Sequence, residues 1–123
     1  LIVDLPPGTS DAPLTIMQVL TMDGFIVVTT PQELAKVDAK RSINMVRKLQ
    51  VNVLGVVENM SGGVFGEGAG KEIADELDLD FLGAIGLRSE YQDTSKPTSL
   101  LSNDVLNEYR SVSKKALSVL SST

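Results

Sequence analysis

The sequence predicts an α/β fold with three layers, in which a parallel β-sheet is flanked by helices on both sides. Short apolar runs of strand length alternate with longer amphipathic segments of helical period. Polar or turn-forming residues follow each apolar run. This alternation favours a parallel sheet, because parallel strands need a crossover that is usually a helix. The length of 123 residues suits a single domain with a sizeable core.

Composition and charge narrow the class of protein. Hydrophobic residues make up 42% of the chain, and no apolar run approaches the roughly 18 residues that a membrane span needs. No basic, apolar leader for secretion is present at the start of the sequence. The formal net charge of −5 argues against a nucleic-acid-binding surface. We therefore expect a cytoplasmic protein without a membrane or nucleic-acid partner.

The ligand chemistry of the chain is restricted by two absent residue types. There is no cysteine and no histidine, so no disulfide can form and no thiolate or imidazole is available to a metal. Carboxylates and neutral oxygens are the protein ligands that remain.

The first eleven residues, LIVDLPPGTSD, predict a buried strand followed by a turn. The apolar run suits a strand covered on both faces, and it delivers Asp4 to its carboxyl end. Ligands bind at this edge of open α/β sheets. Gly8 has no Cβ, so its backbone N–H could approach a terminal phosphate closely.

After this segment the sequence predicts a helix, a second strand and a longer helix, which leads to a third strand. Asp11 caps a helix with Pro13 in its first turn, and Asp23-Gly24 ends that helix. A buried strand follows over 25–29. The longest helix then runs to about Leu49, and its packed stripe is predicted to be Ala35, Ala39, Ile43 and Val46.

A row of cations lies beside that stripe, at Lys36, Lys40 and Arg47. It is interpreted either as a solvated face or as a surface for a docking partner.

The third predicted strand runs from Val51 to Glu58, and Asn59 follows at its carboxyl end. A glycine-rich stretch over 62–70 then leads into Lys71. It is not a phosphate-binding loop of the form G-x-x-x-x-G-K-[ST], because Phe65 stands where the first glycine is needed and Glu72 replaces the hydroxyl. We therefore expect a flexible loop that leads into a helix over 69–77.

The last third predicts a strand over 81–85, a turn-rich segment over 90–101 and a final helix capped by Ser102 or Asn103. A membrane-surface role for this helix is disfavoured, since only Lys114 and Lys115 lie near its serine-rich end. We expect it to dock on the sheet through an apolar face that consists of Val105, Tyr109, Val112, Ala116 and Leu120.

Several strings in order resemble the Mrp/Nbp branch of the MinD/ParA-like P-loop ATPases, which are iron–sulfur cluster carriers. They are DLPPGTSD, VVTTPQ, GVVENMS, FGEGAG and FLGAIGLRSEYQDTSKP. The resemblance covers nearly the whole chain. It implies that residues 1–123 are the C-terminal portion of a single ATPase domain with a partial P-loop NTPase fold. The phosphate-binding Walker A loop of such a domain lies upstream of the Asp4 strand and is not in this sequence.

The resemblance also implies roles for individual residues. Asp4 matches the carboxylate that contacts Mg²⁺ through water, and Gly8 matches the glycine near the γ-phosphate. Asn59 matches the amide that pairs with adenine. Leu87 and Arg88 occupy the loop that borders the base, although Gly86 and Arg88 replace the usual Pro and Asp there.

By the same resemblance the intact parent would bind ATP and Mg²⁺, form a homodimer and serve iron–sulfur apo-targets. The family's Cys-Pro-x-Cys pair is deleted between Ser61 and Phe65, so no cluster is expected on this chain. Two other functions stay open: a positioning or partition ATPase of the MinD/ParA type, and a nucleotide-independent interaction module.

Overall fold

The computed structural model describes residues 1–6 and 11–123. Within them the sheet has three parallel strands in the order β1-β2-β3, with bounds Phe25–Thr29, Val53–Ser61 and Phe81–Gly86. The described residues also form four α-helices: α1 (Asp11–Val19), α2 (Glu33–Lys48), α3 (Ala69–Glu76) and α4 (Asn103–Ser122). The predicted class, a parallel sheet between helical layers, is confirmed.

The two faces of the sheet bury separate apolar clusters. Helices α2 and α3 cover one face, where Ile43, Val56 and Ile73 are fully buried together. Helix α4 covers the other face, where Val112 and Ala116 pack against Leu82. Because side chains alternate along a strand, consecutive residues of β2 serve different clusters. Strand β2 is therefore buried on both sides, as its apolar sequence requires.

The predicted strand at the start of the chain is wrong. Residues 1–6 form no regular secondary structure, and Leu1 and Ile2 are almost completely exposed. A strand in a parallel sheet needs a hydrogen-bonded neighbour and cover on both faces. One face of β1 is open, since Ile26 and Val28 are exposed, whereas Val27 on the other face is buried.

The cationic row on α2 has partners within the chain that neither interpretation predicted. Lys36 and Lys40 form ion pairs with Glu72 and Glu76 of α3. The guanidinium of Arg47 donates to the carbonyl oxygen of Leu77 at the end of that helix. The row is therefore a seam between two neighbouring helices. Its partners lie 30 or 36 residues further along the chain, beyond the reach of a helical pattern.

The final helix begins and docks as predicted, with one change on its face. The Ser102 hydroxyl accepts a hydrogen bond from the backbone N–H of Val105 at 3.3 Å and so caps the helix. Val105 is fully buried, whereas Tyr109 is 39% exposed. Glu108 is more buried than Tyr109 and turns toward the sheet, where its carboxylate accepts a hydrogen bond from the backbone N–H of Gly86.

Candidate functional site

The carboxyl ends of β2 and β3 meet at one edge of the sheet and carry most of the predicted site residues. Ser61 of β2 lies in register with Gly86 of β3. The backbone N–H of Leu87 donates to the carbonyl oxygen of Ser61 at 2.9 Å, which ties the loop after β3 to the end of β2. Asn59 lies two residues before Ser61 on the same strand. The structure therefore brings Asn59, Leu87 and Arg88 to one edge.

Asn59 lies within β2, whereas the sequence predicted that it follows the strand. Its side-chain oxygen accepts a hydrogen bond from the backbone N–H of Met60 at 2.9 Å. Met60 has a φ of 55°, a left-handed conformation that is uncommon for a non-glycine residue. An amide oxygen has a second lone pair, and the amide nitrogen has two donor hydrogens. The Asn59 amide can thus still both donate and accept.

Arg88 is held by helix α4. Its guanidinium forms an ion pair with one carboxylate oxygen of Glu108, and the other oxygen accepts from the backbone N–H of Gly86 at 3.2 Å. The hydrogen bond to Glu108 raises the pKa of Arg88 above its usual value. Arg88 therefore remains charged and is directed at Glu108.

Tyr91 packs beside this ion pair. Burial is the main cause that raises the pKa of its phenol, and the nearby Tyr109 and Glu108 act in the same direction. Its hydroxyl oxygen and the Nε atom of Arg88 are buried and have no hydrogen-bond partner within residues 1–6 and 11–123. Two polar atoms on the interior side of the loop thus have no hydrogen bond within the described residues.

Glu58 is a buried carboxylate that the sequence analysis missed. It is 1% exposed, one position before Asn59. Its oxygens accept hydrogen bonds from the Ser61 hydroxyl at 2.6 Å and from the backbone N–H groups of Gly68 and Gly70 at 3.1 and 2.7 Å. The last two donors belong to the start of α3, where an anion is favourable to the helix dipole. The only sequence signal for this role of Glu58 is its position directly after a continuous apolar run.

The glycine-rich stretch is hydrogen-bonded to Glu58 and leads into α3. The predicted order of a loop followed by a helix is thus observed. A short 3₁₀ turn over Gly63–Phe65 is closed by a hydrogen bond from the N–H of Gly62 to the carbonyl oxygen of Gly66. Val64 at its tip is 91% exposed. Lys71 pairs with Asp75 on its own helix. The loop therefore presents an apolar tip next to the edge that carries Asn59.

Asp4 and Gly8, the other two predicted site residues, belong to the start of the chain. Asp4 lies in the exposed segment 1–6, and Gly8 lies outside the described residues. No group of three or more acidic, histidine or cysteine side chains that could hold a metal occurs in the parts of the chain that the structure describes. Mg²⁺ is commonly held by one or two carboxylates together with substrate phosphates and waters. A single carboxylate such as Asp4 fits that ion only in the presence of a phosphate ligand.

None of the helices in the described ranges is both long enough and apolar enough to span a bilayer.

A parallel α/β sheet with polar loops at its carboxyl edge defines a class of proteins that bind ligands at that edge. The comparisons with known proteins identify the family within this class. The model of the ParA family described as "NUBPL iron-transfer P-loop NTPase" matches residues 1–120. The chain therefore belongs to the NUBPL-type iron-transfer P-loop NTPase family.

Curated relatives agree with this assignment. An iron–sulfur cluster carrier protein of Methanocaldococcus jannaschii is 40% identical over 94% of this chain and 44% of its own length. One from a Synechocystis species is 41% identical over 98% of the chain and 36% of its own length. The cytosolic Fe-S cluster assembly factor CFD1 of Debaryomyces hansenii is 46% identical over 69% of the chain and 33% of its own length.

A solved structure supports the fold as well as the family. A nucleotide-binding protein of Archaeoglobus fulgidus, in complex with ADP, is 32% identical and superimposes with a TM-score of 0.60. The match covers 92% of this chain and 44% of that one. The chain thus spans less than half the length of these relatives.

Proposed function

We propose that this chain is the C-terminal part of an ATPase domain that works in iron–sulfur cluster assembly or transfer, and that it forms the base-side wall of the nucleotide site. The observation that carries the proposal is the junction of β2 and β3, where Asn59 and the loop over 86–88 share the carboxyl edge. Membership of a P-loop NTPase family and an ADP-bound relative support a nucleotide as the ligand of that edge.

The residues at this edge suit a purine base. The Asn59 amide can donate and accept at once, as a pairing with the edge of adenine requires. The Leu87 side chain is 46% exposed and offers an apolar surface against which a base can pack. Arg88 is engaged by Glu108, so we assign it to the support of this loop and not to direct contact with the base.

The phosphate side of the site would be completed by other residues. Asp4 would contact Mg²⁺ through water, and Gly8 would approach the γ-phosphate. Bound Mg²⁺ would neutralise charge that develops on the phosphates. The sequence of residues 1–123 has no Walker A loop, so we assign the grip on the β- and γ-phosphates to a part of the parent protein outside this chain.

The cluster would be the cargo of the parent protein. Thiolates are the usual ligands of iron–sulfur centres, and carboxylates such as Glu67 are too hard to replace them. This chain has no cysteine, so we assign any cluster to cysteines elsewhere in the parent or to a partner. We further propose a cytoplasmic homodimer that delivers clusters to apo-proteins, with nucleotide turnover altering the dimer interface.

Two alternatives make different predictions. A positioning or partition ATPase would share the nucleotide site but handle no cluster. A nucleotide-independent module would bind no nucleotide even as part of the parent protein. A K-G-G-x-G-K-[ST] loop upstream would support either ATPase, whereas an N-terminal cysteine cluster would support only the carrier.

Titration calorimetry with ATP tests whether the nucleotide site is divided between this chain and the rest of the parent protein. We expect residues 1–123 alone to show neither tight ATP binding nor hydrolysis, and the parent protein to show both. In the parent, Asp4→Asn should retain the fold and lose most turnover, because the amide has no charge to attract the hydrated ion. Low-micromolar ATP binding by residues 1–123, or an unchanged turnover rate in the variant, would contradict the assignment.

A further inference from the structure

The loop after β3 is held from behind by one residue of helix α4. Glu108 accepts from the backbone N–H of Gly86 through one oxygen and from the Arg88 guanidinium through the other. Both charged side chains are about three-quarters buried, with exposures of 27% for Arg88 and 23% for Glu108. Partly buried, charge-assisted contacts of this kind are stronger than contacts between neutral groups.

This contact determines which groups the loop can offer to a ligand. The N–H of Gly86 is used by Glu108, and the N–H of Leu87 is used by the carbonyl oxygen of Ser61. The loop therefore has no backbone donor left at these two positions. The Leu87 side chain is exposed, and the backbone of the loop otherwise carries only carbonyl oxygens at these two positions, which are acceptors. Adenine carries a donor, its exocyclic amine, where guanine carries an acceptor oxygen.

We propose that Glu108 is a positioning residue that holds the N–H of Gly86 and the guanidinium of Arg88 toward helix α4, and so makes the loop select adenine over guanine. This inference rests on the proposed nucleotide site. The contact depends on the residues that this chain has at both positions of the loop. A proline at position 86 would have no N–H for Glu108, and an aspartate at position 88 would repel it.

The first part of the test measures the contact itself, by hydrogen exchange of the amides over 86–92 in residues 1–123. Glu108→Ala should accelerate exchange of the Gly86 and Leu87 amides by about tenfold or more, because the loop loses its support. Glu108→Gln retains one acceptor oxygen and should give a smaller increase. Asn107→Ala, an exposed neighbour on the same helix, is the matched control and should leave exchange unchanged. Unchanged exchange in Glu108→Ala would overturn the proposal.

The second part measures the ratio of ATP to GTP affinity in the parent protein. Glu108→Ala should lower this ratio by about tenfold, since the freed N–H of Gly86 can then donate to the guanine oxygen. Glu108→Gln should lie between the wild type and Glu108→Ala, and Asn107→Ala should match the wild type. A parent that binds ATP with an unchanged ratio in Glu108→Ala would overturn the positioning role and leave the nucleotide site intact. A wild-type parent that binds neither nucleotide would refute the proposed function, and the base selectivity with it.

Discussion

The Glu58 carboxylate accepts a hydrogen bond from the backbone N–H of Gly70 at 2.7 Å, across the boundary between β2 and α3. A Cβ at position 70 would lie 2.9 Å from the Cβ of Glu58 and 3.1 Å from the Phe81 ring, so only glycine fits this approach. The contact places a buried acid beside Asn59 and connects the glycine-rich loop to the edge of the sheet. Strand, loop and helix therefore form one connected unit next to the proposed base site.

Loss of the Glu58 carboxylate is expected to destabilise the protein strongly. Glu58→Ala would leave the N–H groups of Gly68 and Gly70 and the Ser61 hydroxyl without their acceptor, at a cost of about 2–4 kcal/mol in the free energy of unfolding. Urea denaturation measures this loss. Glu67→Ala removes an exposed carboxylate of the same loop and serves as the control, with a change within about 0.5 kcal/mol. Equal midpoints for the two variants would refute the role assigned to Glu58.

The seam between α2 and α3 is expected to respond to acid. The hydrogen bond from Lys36 holds the pKa of Glu72 below its ordinary value of 4.5. A carboxylate with a lowered folded-state pKa stabilises the fold fully above its ordinary pKa, and this stabilisation is lost as the pH falls through the lowered pKa. Glu72→Gln should therefore lower the Tm at pH 6 and 7, and the difference from the wild type should vanish at the acid end of the titration.

The same ion pair is also expected to weaken at high pH, because Lys36 then loses its proton. Hydrogen bonds to Glu72 and Glu33 raise its pKa above 10.5, so its contribution is complete below that pH and is lost as the pH rises further. Glu67→Gln, which changes an exposed carboxylate outside the seam, is the control for both limits. A Tm difference for Glu72→Gln that stays constant from pH 3 to pH 7 would contradict the assignment.

Base recognition by Asn59 predicts a change in nucleotide preference. In the parent protein, Asn59→Ala should weaken ATP relative to GTP by roughly 1–3 kcal/mol, because polar groups of the adenine ring lose their partner. Competition binding with the two nucleotides measures this ratio. Asn52→Ala, an exposed asparagine just before β2, is the matched control. An unchanged ratio would indicate that Asn59 serves only the turn at Met60, whose N–H it already binds.

The absence of thiolate ligands predicts that residues 1–123 hold no cluster. After anaerobic reconstitution with iron and sulfide, the desalted chain should show no charge-transfer band near ~400 nm, where thiolate-ligated clusters absorb. The parent protein, treated in parallel, is the comparison. A band retained by residues 1–123 would disprove this prediction. A parent that also remains colourless would favour an ATPase that acts on a protein partner without a cluster.

Local pattern was sufficient for most of the secondary structure. The strand over Phe25–Thr29 matches its prediction in both bounds, and the cap at Ser102 was one of two predicted. Apolar runs and caps involve residues within a few positions of each other, so the sequence alone determined them. The family resemblance, which depends on ordered strings of residues, is confirmed by the family model.

Only the tertiary structure decided which polar groups meet. Glu58 and Gly70 are 12 positions apart, Gly86 and Glu108 are 22 apart, and Lys36 and Glu72 are 36 apart. No helical or strand period joins such distant positions, so the partners of the α2 cations were not predicted and Glu58 was overlooked. The first strand failed for a related reason, because a strand of a parallel sheet needs cover on both faces and one face of the neighbouring β1 is exposed. The sequence determined the elements, and their packing decided the contacts at the site, because most buried polar groups need a partner and only the fold brings distant partners together.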